Sequence, residues 1–275
     1  DAMFSTFALR CAQQKGGPAM PDHKSAADHL WQTALSGGLI DTLPTPPTSR
    51  AEGYVIQAIY EDRSAHPRYG WKIAATSAAG QSHINVDGPI AGRLLAEKIF
   101  APGAVISLTN NRMLVCEPEF GFRFGRDLPA EQTYDKAEVM AAVDTMHLTI
   151  EIPDSRYTDF TKVGAPSLIA DNACARELIV GPAVIADWRS VDLSTHPVHA
   201  EVTGKFTRAG SGAAVLGDPR DALTWLVNQV AGTGTDIKAG ELVTTGTCMV
   251  PLEVSPGEEA IVDYGIFGTI SAHFS

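Results

Sequence analysis

Cysteine is scarce and scattered: Cys11, Cys116, Cys174 and Cys248 are four among 275 residues. They form no CxxC pair and no dense framework like those of small secreted domains, so reduced thiols in a cytoplasmic protein are the expectation. Long hydrophobic runs are missing as well. No apolar stretch approaches the roughly 20 residues that a membrane span needs. The N-terminus also lacks the basic, apolar and small-residue sequence of a secretion signal. A soluble chain is therefore expected. Positive charge is in deficit, with 21 Lys and Arg against 32 Asp and Glu and a formal net charge of −11. That balance opposes polyanions, so DNA, RNA and acidic membrane surfaces are not expected partners. The same deficit means that a site for a small anion needs local positive charge from Lys, Arg or a metal ion. No internal repeat of solenoid or propeller period and no low-complexity tract is present. The chain opens on Asp1, with Met3 following. Its first residues are read as an expression remnant and carry no functional weight.

What is present is a globular composition, 44% hydrophobic and 19% charged, long enough to bury a core. Ala27, Leu30, Trp31, Ala34 and Leu35 recur at helical spacing and Gly37-Gly38 stops them, which predicts one amphipathic helix over 26–36. Pro44, Pro46 and Pro47 make a linker, and a second helix follows over 51–63. After Gly70 the texture changes to short β-rich runs at 105–108, 113–116, 119–124 and 147–152, with more at 241–245, 250–254, 260–264 and 268–273. Helices are expected at 92–99, at 136–146 and at 219–230, the last with Asp218 as cap and Pro219 in its first turn. The reading is an α+β chain, with a helical N-terminal segment over 1–69 and a mixed, β-rich catalytic domain over 70–275.

Chemistry is concentrated in three places. In Cys116-Glu117-Pro118-Glu119-Phe120-Gly121-Phe122, an extended strand puts Glu117 and Glu119 on one face. Two such carboxylates are tolerable if both face water or if a cation lies between them, and E-x-E spacing alone leaves both readings open. Glu151, between Ile150 and Ile152, needs a partner. Arg156 is one candidate; completion of a three-carboxylate oxygen cage suited to Mg²⁺ or Mn²⁺ is the other. Lys72, in Gly70-Trp71-Lys72-Ile73, is on its own most simply a snorkelling surface lysine.

From Gly70 onward the ordered segments resemble the hydratase branch of the fumarylacetoacetate hydrolase superfamily. That branch is typified by 2-keto-4-pentenoate hydratase, with oxo-dienedioate hydratases and 4-oxalocrotonate decarboxylases beside it. The segments are Gly70-Trp71-Lys72-Ile73, Val86-Asp87-Gly88-Pro89, Glu117 to Phe122, Glu151-Ile152-Pro153-Asp154-Ser155-Arg156, Ala170-Asp171-Asn172-Ala173, Gly217-Asp218-Pro219, Trp225-Leu226-Val227-Asn228 and Thr245-Gly246. The resemblance implies a mixed β-roll with helices ahead of it, metal ligands Glu117, Glu119 and Glu151, and Lys72 and Asp87 as acid/base groups. It also implies Mg²⁺ or Mn²⁺ as cofactor, a small 2-oxo acid as substrate, and a homo-oligomer in the catabolism of aromatic compounds, associated with other catabolic enzymes. The expected reaction adds water to a 2-hydroxy-2,4-dienoate through a cation-stabilised dienolate and gives a 4-hydroxy-2-oxo acid. Decarboxylation of a 2-oxo-enedioate is the alternative, followed by C–C bond hydrolysis and by a non-catalytic scaffold role.

The resemblance weakens at Asp171-Asn172-Ala173-Cys174-Ala175, where relatives usually carry small hydroxyl residues, and at Gly246-Thr247-Cys248-Met249. Both departures concern the pocket lining around Cys174 and Cys248. The stretch from Ala74 to Val86 has the composition of a lid. Its His83 is a candidate proton donor, set against the plainer reading of an exposed loop histidine. Gly210-Ser211-Gly212-Ala213-Ala214 lacks the Gly-Lys-Thr of a phosphate loop and is read as a hairpin or turn.

Overall fold

The computed structural model describes residues 22–275. The opening segment, including Asp1, Met3 and Cys11, lies outside the described residues. The first helix, α1 (His23–Ser36), starts where the Asp22 side chain accepts from Ser25 N and stops at Gly37 in the left-handed conformation. α2 (Arg50–Glu61) is capped by Ser49. The apolar stripes of both helices form a small core, with Leu30, Ile56 and Tyr60 meeting Leu95, Tyr157 and Ala170 from the rest of the chain. Gln57, fully buried on α2, donates to Ala91 O and Ile169 O, both at 2.9 Å.

Beyond the helices come β1 (Arg68–Ala74), α3 (Ala78–His83), β2 (Ile90–Leu95), β3 (Ile99–Phe100), β4 (Val105–Ile106), β5 (Val115–Phe124), α4 (Lys136–Ala142), β6 (Val143–Ile152), α5 (Gly164–Ala170) and β7 (Glu177–Ala183). Then follow β8 (Pro197–Val202), β9 (Phe206–Ser211), α6 (Pro219–Ala231), β10 (Leu242–Thr247), β11 (Leu252–Glu253), β12 (Glu259–Asp263) and β13 (Thr269–Phe274). The larger sheet runs β2-β1-β10-β5-β6-β7-β3, with β11 on the end of β5, and the smaller runs β4-β13-β12-β8-β9. Aromatic residues fill the space between the sheets: the Phe120 ring meets Tyr264 edge-on at 5.4 Å and Phe267 at 6.4 Å. Mixed sheets behind a helical N-terminal segment are the arrangement expected from the sequence.

Two expected helices differ. Residues 92–99 form the end of β2, a single 3₁₀ turn and the start of β3. All six β2 residues are buried, so the strand shows no in/out alternation, and Ala91, Leu94, Leu95 and Ile99 mimic helical spacing. The helix expected over 136–146 ends at Ala142, where Val143 turns extended (φ −73°, ψ 131°) and begins β6. The 210–214 run ends β9 and makes one 3₁₀ turn. α6 has the Asp218 cap and the Pro219 start that its sequence predicts. Among the described residues no helix is long and apolar enough to cross a membrane.

Candidate metal centre

Register builds the centre. On the antiparallel pair β5/β6, Glu117 lies directly opposite Glu151, and Glu119 opposite Thr149. Like charges directly opposed on neighbouring strands destabilise a sheet, yet here a third carboxylate joins them. One oxygen from each of Glu117, Glu119 and Glu151 lies within 4.8 Å of the others. Glu119 and Glu151 are 0% and 1% exposed, whereas Glu117 is half-buried at the open side of the cluster. Three strands from β6, Lys72 on β1 reaches in, itself 1% exposed. Its Nζ lies 2.9 Å from Glu151 Oε1 and donates to Ala173 O at 3.0 Å. The snorkelling reading of Lys72 is thereby replaced by a buried ammonium.

Glu119 is anchored on one side only. Its Oε2 accepts from Thr244 Oγ1 at 2.5 Å and from Gly246 N at 2.9 Å. The backbone donor is supplied by a bulge: the β10/β5 register shifts between Thr244 and Thr247, with Gly246 at φ +105°. That conformation excludes a side chain. The Tyr264 hydroxyl bridges Glu119 O and Thr149 O at 3.0 Å each, which fixes the two strands behind the carboxylates. Glu119 Oε1 and both oxygens of Glu151 have no hydrogen-bond donor. The Lys72 contact is an ion pair by distance without hydrogen-bond angles.

Electrostatics follow from the crowding. Burial, and then the charge of Glu151, pushes the Glu117 carboxyl up to about 7, and the same causes hold Glu119 well above the carboxylate range. Burial also raises Glu151, against the pull of Lys72. Burial alone would depress Lys72, but Glu151 and then Glu117 outweigh it, so its pKa sits above the ordinary value and the amine is an ammonium. An all-carboxylate donor set suits a hard, oxygen-preferring cation. The three orphaned buried oxygens are the kind of unsatisfied group that a buried site tolerates only when a ligand completes it.

The other expected residues fall elsewhere. Asp87 is not brought to this group: its side chain is 83% exposed and pairs with Arg50, whose guanidinium also donates to Pro89 O. His83 is exposed at the end of α3, against Phe160 with ring centroids 5.9 Å apart. Arg156 does not satisfy Glu151; it pairs with buried Asp171. Cys116, Cys174 and Cys248 are free and buried. Burial, then Asp171, pushes the Cys174 thiol up to about 12, which leaves no thiolate nucleophile near neutral pH. Sequence reasoning assigned no role to Thr244, although a Thr-Thr-Gly run inside an apolar strand is a visible sign of a bulge.

Residues 77–275 match the fumarylacetoacetate (FAA) hydrolase C-terminal family. The chain belongs to the fumarylacetoacetate hydrolase family. Within that family it is 32% identical over 240 residues to a 2-keto-4-pentenoate hydratase of Paraburkholderia xenovorans, covering 86% of this chain and 88% of the relative. It is 33% identical over 254 residues to a 4-oxalocrotonate decarboxylase of Pseudomonas putida, covering 90% and 95%. The solved 4-oxalocrotonate decarboxylase from Pseudomonas putida G7, complexed with magnesium and adipate, superposes with a TM-score of 0.83 at 29% identity, covering 92% of this chain and 97% of that one. The hydratase and decarboxylase branch of the family is thus where these relatives lie, in agreement with the ordered motifs.

Proposed function

We propose that the chain is a divalent-metal-dependent hydro-lyase that adds water to a 2-hydroxy-2,4-dienoate, with Glu117, Glu119 and Glu151 holding Mg²⁺ or Mn²⁺ and Lys72 as the acid/base group. The observation that carries the reading is the buried carboxylate trio with orphaned oxygens beside a buried ammonium. When bound, the cation supplies Lewis-acid stabilisation of negative charge on a 2-oxo oxygen.

The remaining chemistry belongs to the chain. An ammonium has three N–H donors; in Lys72 one goes to Ala173 O and one faces Glu151, which leaves the third for substrate. Buried beside Glu151, Lys72 is placed to take the enol proton from a bound substrate and to return a proton to carbon. Loss of the enol proton and delivery of a proton to C5 convert the dienoate to a 3-unsaturated 2-oxo acid. Water then adds its oxygen to C4 and a proton to C3, giving the 4-hydroxy-2-oxo acid. A second acid/base role for Asp87 requires the 75–89 segment to carry its carboxylate inward, breaking the Arg50 pair. Left-handed Ala75 (φ 60°) and Asn85 (φ 54°) bracket α3 within that segment. Asp87→Asn tests this: a loss of kcat of about 10²-fold supports the role, and unchanged turnover removes it.

The deciding experiment mixes enzymatically generated 2-hydroxy-dienoates, with and without a second carboxylate, with protein and Mg²⁺, follows the ultraviolet change and weighs the products. Gain of water is expected. Loss of CO₂ would transfer the assignment to the decarboxylase alternative, and no product from any dienoate would remove both. The homo-oligomer and the cytoplasmic setting are part of the same proposal, with light scattering as the check on the first.

A further inference from the structure

Three consecutive non-glycine residues, Asn172, Ala173 and Cys174, have φ of 56°, 50° and 61°. Side chains rarely adopt this conformation singly, and a run of three persists only where the surroundings enforce it. The middle residue supplies the carbonyl that accepts from Lys72 Nζ. A strained turn therefore carries, at its middle residue, a backbone acceptor of the buried ammonium.

The enforcing contacts come from the edge of the larger sheet. β2 has β1 on one side only, and Arg93 is registered opposite Trp71. Arg93 N donates to Asn172 Oδ1 at 2.7 Å, and Asn172 Nδ2 donates to Arg93 O at 2.8 Å. Both main-chain groups of Arg93 thus point away from β1, and the Asn172 amide pairs with them as a neighbouring strand's peptide would. The approach is close because residue 92 is glycine. A Cβ at Gly92 would stand 2.5 Å from Asn172 O and 3.0 Å from Lys72 Cδ. Gly92 is also the register partner of Lys72, so one strand position packs the lysine stem and seats the turn.

We propose that Asn172 is a positioning residue for Lys72: its two-bond clamp on Arg93 fixes the Ala173 carbonyl, which holds the ammonium at Glu151. Asparagine suits the place twice, since it tolerates positive φ and offers both a donor and an acceptor. The inference rests on the acid/base role proposed for Lys72. Its test therefore includes a readout that does not require turnover.

The experiment is a double-mutant cycle between Asn172→Gly and Lys72→Ala. Glycine keeps the positive-φ backbone and removes only the clamp. Turnover, Mg²⁺ affinity and the affinity of the Mg²⁺-loaded protein for oxalate, a non-reacting chelating anion, are measured in each variant, with Tm as a check on folding. Expected is a loss of kcat of about 10²-fold for Asn172→Gly, the scale of a misplaced catalytic group, with KM and Mg²⁺ affinity within about threefold. In the Lys72→Ala background that loss disappears, and the weakening of oxalate binding by Asn172→Gly disappears with it. Equal losses in both backgrounds, or wild-type kcat and oxalate affinity in Asn172→Gly, overturn the proposal. If Asn172→Gly does not fold, Asn172→Ala removes the same clamp and must show the same coupling to Lys72, alanine at positive φ being carried already by the neighbouring Ala173. Absence of turnover in the wild type refutes the hydro-lyase reading alone, because the oxalate cycle still reads the coupling.

Discussion

Near the 172–174 turn lie two buried groups, each a carboxylate facing a cation, with contrasting accounts of their oxygens. In the first, Asp171 is 0% exposed and fully served: Oδ2 accepts from Ser155 Oγ at 2.6 Å and from Arg156 N at 3.0 Å, and Oδ1 takes the Arg156 guanidinium. In the second, Glu151 is as deeply buried, has two like charges near it, and has one ammonium that meets only one of its oxygens. Burial is common to both, so burial does not distinguish structure from function. Completeness of hydrogen bonding does, because a satisfied buried pair needs nothing further while an unsatisfied one is stable only with a ligand or protons added.

The comparison breaks most sharply at the cations. Lys72→Ala is expected to lower kcat by about 10²- to 10⁴-fold while leaving Mg²⁺ affinity close to wild type. Near-normal turnover on every dienoate tried would remove its role. Arg156→Met should do the reverse. With Asp171 left buried and unpaired, urea unfolding should show a loss of about 3–5 kcal/mol, with Mg²⁺ affinity of the folded fraction unchanged. If Arg156→Met spared stability and abolished metal binding, the division between the two groups would be wrong.

A smaller effect sharpens the boundary. Thr244→Val removes the hydroxyl that orients Glu119 Oε2 and should weaken Mg²⁺ binding about 10-fold, as loss of a ligand's supporting hydrogen bond generally does; calorimetry checks it. The smallest effect is a pH dependence. Glu117 and Glu119 are raised in the folded chain, so the metal-free protein binds more protons than the unfolded chain between the ordinary carboxylate range and about 7. The stability associated with these groups is complete below that range and falls as pH rises through about 7. Mg²⁺ replaces the protons, so the rise in Tm on adding it should be larger at pH 8 than at pH 5.5. A larger rise at the lower pH would contradict the raised carboxyls.

Strand geometry made only part of the centre legible in the sequence, and the family resemblance suggested the rest. Glu117 and Glu119 are two residues apart on a strand and share a face whatever surrounds them, and an acid between Ile150 and Ile152 announces a need for a partner. Choosing between Arg156 and a cation for Glu151 was not legible, since it depends on which strand delivers a positive group, and β1 delivers Lys72 from far along the chain. β2 was misread as helix because burial on both faces erased its period of two. The left-handed turn at Asn172 carries no glycine to mark it, and its conformation comes from a tertiary clamp. The segment holding Asp87 was recognised, but the orientation of that carboxylate toward Arg50 was not legible, because Arg50 comes from α2.

The central claim is that three glutamates and their orphaned oxygens hold a divalent cation. Calorimetric titration of the metal-free chain and of Glu119→Gln with Mg²⁺, in buffers of different ionisation heat, tests it directly. The wild type should bind one Mg²⁺ per chain and release more protons at pH 6 than at pH 8, and Glu119→Gln should lose that binding. No Mg²⁺ binding by the wild type at millimolar metal, or binding that Glu119→Gln leaves intact, would contradict it.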